Sequence, residues 1–363
     1  MNNRVDQLRA QMAEKELDGL LVTDALNRAY LSGFSGSSGV LLVTPGEAYV
    51  VTDFRYFEQA EGQAPGWHLW KQTRSLAEAV GDLLKEVNPT KLGFEADGLT
   101  VSEWNSYKKH GPEVTEWIET EGLIRRLRAR KSTDEIEAIR RAQRITDEAA
   151  QHLPRLIQPG MTEKQVAWEL EKVMRDLGAD GPAFEIIVAS GPNSAMPHYH
   201  PGERVISENE IVLVDFGAKL GGYHSDMTRT YFTGEPPAEY AHIYNIVLDA
   251  LHLAERGIRA GVGAKEADAI ARDFIGERDH PNDFGHSLGH GIGLDIHELP
   301  PLSFRAQDEE KLEVAQVVTI EPGIYLPGWG GVRIEDLALV TEEGIEIFTT
   351  TAKDIDAWRK AQA

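Results

Sequence analysis

The chain has 363 residues, with 37 Lys or Arg against 59 Asp or Glu, so its formal net charge is −22. Nucleic acids and anionic membranes bind basic surfaces, so neither is an expected partner of this protein. There are no cysteines, which excludes disulfides, thiolate metal sites and cysteine nucleophiles. The first residues are polar and no apolar run is long enough for a membrane span, so we expect a cytoplasmic protein.

Residues 1–125 are predicted to form one α/β domain. Strand-like runs cover 19–23, 40–44 and 48–52, and helical patterns cover 4–16, 53–58 and 75–84. Glycine and proline residues separate these segments, as they do between the elements of a folded domain. The alternation of strands with helices predicts a mixed or parallel sheet.

Basic residues are concentrated where this domain ends. The run contains Arg125, Arg126, Arg128, Arg130 and Lys131. Since a run of like charges is usually solvated, we expect a linker between two domains here. The pattern at 132–135 is a capping box that opens a long helix. The second domain is therefore predicted to cover 126–363.

The second domain contains an internal repeat. Residues 160–170 resemble residues 261–271, and each segment opens a helix after a glycine. Some fifty residues later, each half has an apolar strand that ends in a carboxylate, followed by a second acid. These are Asp215 and Asp226 in the first half, and Glu321 and Glu335 in the second. A duplicated half-domain would bring the two acid pairs together about a pseudo-twofold axis.

The first acid pair is separated by a predicted β-hairpin. A two-residue turn at Leu220 and Gly221 pairs residues whose numbers sum to 441, which places Asp215 directly opposite Asp226. Opposed residues have Cβ atoms about 4.5–5.5 Å apart on the same face. Two carboxylates this close repel each other unless a proton or a cation lies between them.

The second pair, Glu321 and Glu335, flanks a longer turn at 327–330, and the sequence leaves its register open. A nitrogen ligand is expected from the histidines in 284–298, where the many glycines favour an extended strand over a helix. Four carboxylates and one neutral imidazole balance two divalent cations, and such donors suit manganese, cobalt or zinc. Two such ions can activate a water for attack on a carbonyl group.

Five motifs together resemble the pita-bread metallopeptidases, which include methionine aminopeptidase, aminopeptidase P and prolidase. They are VDFGA at 214–218, YHSDMTRT at 223–230, HSLGHGIGL at 286–294, IEPGIY at 320–325 and GVRIED at 331–336. The first domain is similar to the N-terminal domain of creatinase, aminopeptidase P and prolidase, which methionine aminopeptidases usually lack. The resemblance implies an α/β (α+β) protein, with a creatinase-like domain followed by a pita-bread domain.

The resemblance also assigns the metal ligands. Asp226 and Glu335 would bridge two divalent ions, expected to be manganese, with cobalt and zinc as alternatives. Asp215 would complete the coordination of one ion, and His290 and Glu321 that of the other. Glu321 would also serve as general base. Creatinase uses this scaffold without metals, so the intact ligand set argues against a creatinase.

Four further positions of the family carry over to this sequence. His198 matches a catalytic and substrate-binding histidine near the proline side of the substrate. His297 matches the histidine that stabilises charge developing on the scissile carbonyl oxygen. His286 matches a histidine that lines the proline pocket, and Arg333 matches an arginine that supports this network.

The implied activity is cleavage of short peptides between an N-terminal residue and proline, and the resemblance also implies a homodimer. In some short prolidases an arginine four residues after the His297 position binds the carboxylate of a dipeptide. Pro301 occupies that position here, and Arg305 is out of register with it. We therefore favour an aminopeptidase over a dipeptidase, with a non-catalytic peptide-binding protein as a third alternative. A dinuclear phosphatase is disfavoured, because the sequence has no phosphate-binding loop.

Overall fold

The structure is a computed structural model, which describes residues 3–113 and 115–356. The chain divides into two compact units, Met1–Arg128 and Ala129–Ala363. The boundary expected from the sequence lay after residue 125. Among the described helices, none is both long and apolar enough to cross a membrane.

The first unit is built around a six-stranded sheet. Its strands are β1 (Gly19–Val22), β2 (Val40–Val43), β3 (Ala48–Thr52), β4 (His68–Lys71), β5 (Lys91–Glu95) and β6 (Glu116–Thr120). Its helices are α1 (Asn3–Glu14), α2 (Ala25–Ser32), α3 (Phe57–Gln63), α4 (Leu76–Val87), α5 (Val101–His110) and α6 (Leu123–Ala129), the last of which contains the boundary between the units.

The strand order is β4-β3-β2-β1-β5-β6. Strands β1, β5 and β6 run parallel, as do β3 and β4, whereas β2 is antiparallel to both of its neighbours. This confirms the mixed sheet that the sequence predicts. The core contains Leu21, Val51 and Leu83, all fully or almost fully buried. The helix predicted from residue 53 begins as a 3-10 turn, Phe54–Tyr56, and continues as α3.

The basic run after residue 123 is not the solvated linker that we expected. Residues 123–129 form α6, and Arg128 and Lys131 are buried while Arg125 and Arg130 are exposed. Lys131 forms an ion pair of 3.1 Å with Glu298. Charge alone does not reveal which side chains of a helix face inward, because that depends on the 3.6-residue period. The expected solvation was therefore wrong at Arg128 and Lys131, whereas the division between the two units does fall within the basic run.

The second unit has five helices and thirteen strands among the residues that the structure describes. The helices are α7 (Thr133–Ala150), α8 (Leu153–Leu156), α9 (Glu163–Asp176), α10 (Ala238–Gly257) and α11 (Ala264–Gly276). The strands are β7 (Gly181–Pro182), β8 (Ile187–Ser190), β9 (Ile211–Phe216), β10 (Ala218–Leu220), β11 (Tyr223–His224), β12 (Met227–Phe232), β13 (Gly289–Gly291), β14 (Glu298–Leu302), β15 (Val317–Ile320), β16 (Gly323–Leu326), β17 (Gly330–Arg333), β18 (Asp336–Val340) and β19 (Ile345–Ile347).

The internal repeat is visible in the backbone hydrogen bonds. Gly160 N–H, before α9, donates to the carbonyl of Ile206, just before β9 (2.9 Å). Gly261 N–H, before α11, donates in the same way to the carbonyl of Leu312, just before β15 (2.8 Å). The sheets that carry the acids have the orders β12-β9-β8 and β14-β13-β15-β18-β19. The two halves therefore present β9 and β15, with their terminal acids, from equivalent positions.

The register predicted for the first acid pair is wrong by two residues. Asp215 lies opposite Thr228, so the paired numbers sum to 443. The turn is formed by Gly221 and Gly222, whose φ angles are 58° and 86°. A left-handed conformation at both turn positions suits two glycines, whereas the predicted turn would have required it of a leucine. A shift of two residues keeps every side chain on its original face.

The structure gives the register of the second acid pair, which the sequence had left open. Ile320 pairs with Asp336 on one side, and β16 pairs with β17 around a three-residue turn at 327–329 on the other. Both pairings place Glu321 directly opposite Glu335. The two acids consequently project from adjacent antiparallel chains.

Candidate metal centre

One cavity of about 490 Å³ in the second unit contains all the site residues that the sequence predicts. They are Asp215, Asp226, His290, Glu321, Glu335, His198, His286, His297 and Arg333. The acids come from the ends of β9 and β15 and from the chains that pair with them. His290 comes from the short strand β13, which is extended as expected for its glycine-rich sequence.

Three carboxylates form the centre of this site. Asp215, Asp226 and Glu335 each offer an oxygen atom, and these atoms all lie within 4.8 Å of one another. Each residue also has one buried oxygen without a hydrogen-bond partner: Oδ1 of Asp215, Oδ1 of Asp226 and Oε1 of Glu335. Buried polar atoms normally have partners. These three oxygens are therefore arranged for something other than a protein donor.

His290 faces the same place. Its Nδ1 atom lies 3.0 Å from the carbonyl of Gly291, which can only accept, so Nδ1 carries the hydrogen. In the neutral ring, Nε2 then has a lone pair. This atom lies 3.6 Å from Oδ2 of Asp226 and 3.5 Å from Oε1 of Glu321. These distances exceed a hydrogen bond and leave room for a shared cation.

The acids of this group repel one another, and the charge of Arg333 lowers their pKa values only in part. Burial raises the pKa of Asp226 well above its usual value, and the charge of Glu335 raises it further. Burial, then Glu321 and Asp215, raise the pKa of Glu335 well above its usual value. The pKa of Glu321 rises to about 8, chiefly through burial. Burial and the neighbouring His297 lower the pKa of His290 to about 4, which keeps the ring neutral.

The donor set fits divalent cations. Orphaned carboxylate oxygens, a neutral imidazole nitrogen and mutual repulsion are what a bound cation would relieve. Oxygen ligands with a single nitrogen and no sulfur suit manganese, cobalt or zinc. Asp215, Asp226, His290, Glu321 and Glu335 could together hold such ions.

Arg333 joins the acid cluster to the rest of the cavity. Its guanidinium donates to Oδ2 of Asp215 (2.6 Å), to Oγ1 of Thr228 (2.9 Å) and to the hydroxyl of Tyr325 (2.8 Å). Burial disfavours its charge, but Tyr325 and Asp215 more than offset this and raise the pKa of Arg333. The arginine therefore stays charged, and its charge is paired with Asp215.

The three remaining predicted histidines differ in their surroundings. His286 donates from Nδ1 to the carbonyl of Ser287 (2.8 Å) and accepts at Nε2 from the hydroxyl of Tyr325 (2.7 Å). Burial, then Arg333, lower its pKa to about 3, so the ring is neutral. The ring of His297 lies 4.4 Å from that of His290, centroid to centroid. His198 is exposed on an irregular segment at the cavity wall.

Sequence reasoning missed several residues that hold these groups. Thr228 donates to Oε2 of Glu335 (2.7 Å), and Thr319 donates to Oε1 of Glu321 (3.2 Å). The signal for both was the two-residue period of a strand, since Thr228 follows Asp226 by two positions and Thr319 precedes Glu321 by two. Tyr325 lies within a recognised motif but was given no role.

Two models of known protein families match the chain. The model of the Creatinase/Prolidase N-terminal domain matches residues 4–130, and that of metallopeptidase family M24 matches residues 137–342. Together they cover both units of the structure.

Relatives match over the whole length. The chain is 37% identical to the Xaa-Pro dipeptidase of Pyrococcus furiosus over 98% of this chain and 100% of that protein. The structure of a Xaa-Pro dipeptidase from Bacillus anthracis has a TM-score of 0.94, with 44% identity over 97% of this chain and 98% of the other. An X-Pro aminopeptidase from Thermotoga maritima has a TM-score of 0.87, with 34% identity over 93% and 97%. The chain belongs to metallopeptidase family M24.

Proposed function

We propose that this metallopeptidase cleaves the bond between an N-terminal residue and proline, and that it acts as a Xaa-Pro aminopeptidase on short peptides. The observation that carries the proposal is the group of buried, unpaired carboxylate oxygens that faces His290 in a cavity of peptide size. The names of the relatives, which are Xaa-Pro dipeptidases and an X-Pro aminopeptidase, support the choice of substrate bond.

The five acid and histidine ligands define where the chemistry would occur. Two divalent cations held by Asp215, Asp226, His290, Glu321 and Glu335 would lower the pKa of a water and polarise the scissile carbonyl. The neutral state of His290 and the paired acids of the two halves suit them to hold such ions. The cation that we propose is Mn²⁺, with Co²⁺ and Zn²⁺ as alternatives, and metal analysis of the purified protein identifies it.

Glu321 is the proposed general base. Its Oε1 atom accepts from Thr319, which leaves Oε2 to take a proton from the attacking water. The same carboxyl group would return the proton to the departing proline nitrogen. His297, beside His290, would donate to the carbonyl oxygen as negative charge develops there.

The pocket for the proline residue of the substrate has to recognise a group without an N–H donor. A bond to proline is a tertiary amide and offers no N–H donor, so its recognition depends on shape. His286 has both ring nitrogens engaged, with Ser287 and Tyr325, and so presents mainly carbon atoms to the cavity. Such a wall suits a pyrrolidine ring. His198 is the second histidine that we assign to substrate binding and catalysis.

The preference for peptides longer than two residues rests on charge. A Xaa-Pro dipeptide carries a free carboxylate on its proline, which needs a cationic partner. Arg333 is the single Arg or Lys among the described residues that line the cavity, and its charge is already paired with Asp215 while it also donates to Thr228 and Tyr325. Pro301 lines the cavity at the position of the arginine of some short prolidases, and Arg305 is not among the lining residues.

Dipeptidase activity is the second candidate. It is favoured by the names of two similar proteins, the Xaa-Pro dipeptidases of Bacillus anthracis and Pyrococcus furiosus. The difference between the two activities concerns the residue after proline alone, so a panel of small peptides separates them.

The test compares Ala-Pro-Ala, Ala-Pro, Ala-Pro-amide and Ala-Ala-Ala with enzyme that has been chelated and reloaded with Mn²⁺. We expect turnover of the proline peptides, none of Ala-Ala-Ala, and none before metal is added. We also expect kcat/KM to rank Ala-Pro-Ala and Ala-Pro-amide above Ala-Pro, because both lack a charge on proline. An equal or higher value for Ala-Pro would overturn the aminopeptidase assignment in favour of the dipeptidase.

A homodimer remains a prediction from the family resemblance. Analytical ultracentrifugation of the metal-loaded protein measures it directly, and a mass of one chain at micromolar concentration would contradict it.

A further inference from the structure

Glu163, at the start of α9, is a fully buried carboxylate outside the metal centre. Its Oε1 atom accepts from the backbone N–H of Ser190 (2.8 Å), from the Ser190 hydroxyl (2.7 Å) and from Nδ2 of Asn193 (3.0 Å). Its Oε2 atom accepts from the hydroxyl of Tyr199 (2.7 Å) and from the N–H of Gly202 (3.3 Å). Five donors from one stretch of chain, 190–202, therefore converge on a single side chain.

That stretch carries His198. Residues 196–202 have no helix or strand, and the ring of His198 is exposed, so its own packing does little to hold it. Tyr199 and Gly202, which Glu163 binds, lie one and four residues after it. The Tyr199 hydroxyl also accepts from Asn193 (2.9 Å), which ties the two ends of the stretch together. The backbone of the His198 segment is thus anchored through Glu163.

The other half of the molecule has a counterpart around His286. Asp268, on α11, is fully buried and accepts from the backbone N–H of Leu288 (2.9 Å). It also pairs with Arg272, at 2.6 Å and 2.9 Å. Arg272 in turn donates to the carbonyls of Phe284 (2.6 Å) and His286 (2.7 Å). Asp268 and Arg272 together fix the backbone on both sides of His286.

The two anchors occupy related places in the repeat. Helices α9 and α11 follow the equivalent glycines Gly160 and Gly261, so Glu163 corresponds in position to Ala264. Asp268 lies four residues further along, one helical turn away on the same face. Each half therefore has a buried acid on the corresponding face of the corresponding helix, α9 or α11, although the two acids do not occupy aligned positions.

We propose that Glu163 and Asp268 are positioning residues that set the two histidines of the substrate pocket, Glu163 acting through the His198 segment and Asp268, with Arg272, through the His286 segment. The proposal rests on the proposed function, because that function gives the histidines their roles. Neither acid lines the cavity, so each acts through the backbone that it binds.

The first test is Glu163→Gln. The side chain keeps its size, but its NH2 group replaces one acceptor oxygen, so the donors on that side, either Tyr199 and Gly202 or Ser190 and Asn193, lose their acceptor. We expect kcat/KM for Ala-Pro-Ala to fall about 10- to 100-fold, as for small misplacements of a catalytic group, with the metal content unchanged. In a His198→Ala background, Glu163→Gln should lower kcat/KM less than about twofold further, because the group it positions is already gone. Equal losses in both backgrounds would overturn the proposal.

A second measurement does not depend on the substrate. Hydrogen exchange of the backbone amides in 190–202 should become faster in Glu163→Gln, and unchanged exchange there would overturn the anchor whatever the peptide panel shows. An absence of turnover by the wild-type enzyme would instead count against the proposed function. If Glu163→Gln does not fold, Tyr199→Phe replaces it, because this variant removes the hydroxyl that donates to Glu163. We expect the same changes in kcat/KM and hydrogen exchange, with smaller magnitude.

The matched control is Asp147→Asn. Asp147 is also a buried acid that accepts from backbone N–H groups, those of Thr350 and Thr351, and none of these hydrogen bonds involves residues 190–202. We expect a loss of stability with kcat/KM changed less than about twofold. The same comparison for the other half measures kcat/KM of Asp268→Asn in wild-type and His286→Ala backgrounds. Equal losses in the two backgrounds would overturn that half of the proposal.

Discussion

Nε2 of His290 lies 3.6 Å from Oδ2 of Asp226, too far for a hydrogen bond and with a lone pair on each atom. Without a cation between them the two atoms repel, and protons must neutralise the nearby acids. Glu321 shows this in its pKa, which burial raises from 4.5 to about 8. Bound cations would replace those protons and change how stability depends on pH.

Metal-free protein is therefore expected to lose stability as pH rises from 5 to 8. A group with a raised folded-state pKa contributes stability below its unfolded pKa, and this is lost as pH rises through the folded value. For Glu321 that window runs from about 4.5 to about 8. Since metal competes with these protons, the increase in Tm on adding Mn²⁺ should grow between pH 5 and pH 8. Calorimetry with and without chelator measures it, and an increment that shrinks with pH would contradict the ligand assignment.

Asp226→Asn separates stability from metal binding. The amide removes one charge from the repelling group, so the metal-free variant should be more stable than the metal-free wild type at pH 8, but not at pH 5. The Tm should no longer respond to Mn²⁺. kcat/KM should fall by more than about 100-fold, since loss of an outer partner of a metal ligand alone costs 10–100-fold.

Asp147→Asn is the control for this effect. Asp147 is a buried acid that accepts from the N–H groups of Thr350 and Thr351 and from the Thr351 hydroxyl, and it lies outside the metal centre. Its loss should lower the free energy of unfolding at both pH values and leave the response to Mn²⁺ intact. A gain in stability in this variant would show that removing any buried acid stabilises the protein.

Arg229 binds the backbone of Glu335, one of the proposed metal ligands. It is fully buried, forms an ion pair with Asp336 (2.9 Å) and donates to the carbonyls of Glu335 and Thr351. Removing one partner of a buried pair typically costs about 3–5 kcal/mol. We expect Arg229→Met to lower the free energy of unfolding by about 3 kcal/mol in urea denaturation, the lower end of that range, because Lys353 still pairs with Asp336.

The comparison for Arg229 is Arg144→Met, which removes an exposed pair with Glu137. Exposed ion pairs contribute little, so this variant should be close to the wild type in the same measurement. Similar losses in the two variants would mean that the effect of Arg229 does not come from its burial.

The sequence predicted which face the acids share but not their register. The predicted turn at Leu220-Gly221 and the observed turn at Gly221-Gly222 give strand registers that differ by two residues. Both registers place Asp215 and Asp226 on one face, so the predicted acid cluster does not depend on which turn forms. The turn needs a left-handed φ at both of its central positions, which favours two glycines. The adjacent Gly221 and Gly222 were therefore the feature of the sequence that indicated the correct turn.

Other features depend on contacts that no local pattern records. Glu163 binds residues 27 to 39 positions later in the chain, and nothing near it distinguishes it from an ordinary acid in the first turn of a helix. The burial of Lys131 likewise depends on Glu298, 167 residues away. Strand pairing and motif spacing could be read from the sequence, whereas these long-range anchors required coordinates.

Pro301→Arg tests what separates the two candidate activities. Pro301 lies opposite His290 in the β13–β14 pair and lines the cavity, so an arginine there could bind the carboxylate of a dipeptide. We expect kcat/KM for Ala-Pro to rise about tenfold or more, as a charge-assisted hydrogen bond is worth about 1.5–3 kcal/mol. Ala-Pro-amide should not gain, because it lacks the carboxylate. Pro301→Gln is the matched control without charge, and an equal gain for Ala-Pro in that variant would show that proline was limiting access rather than that a cation was missing.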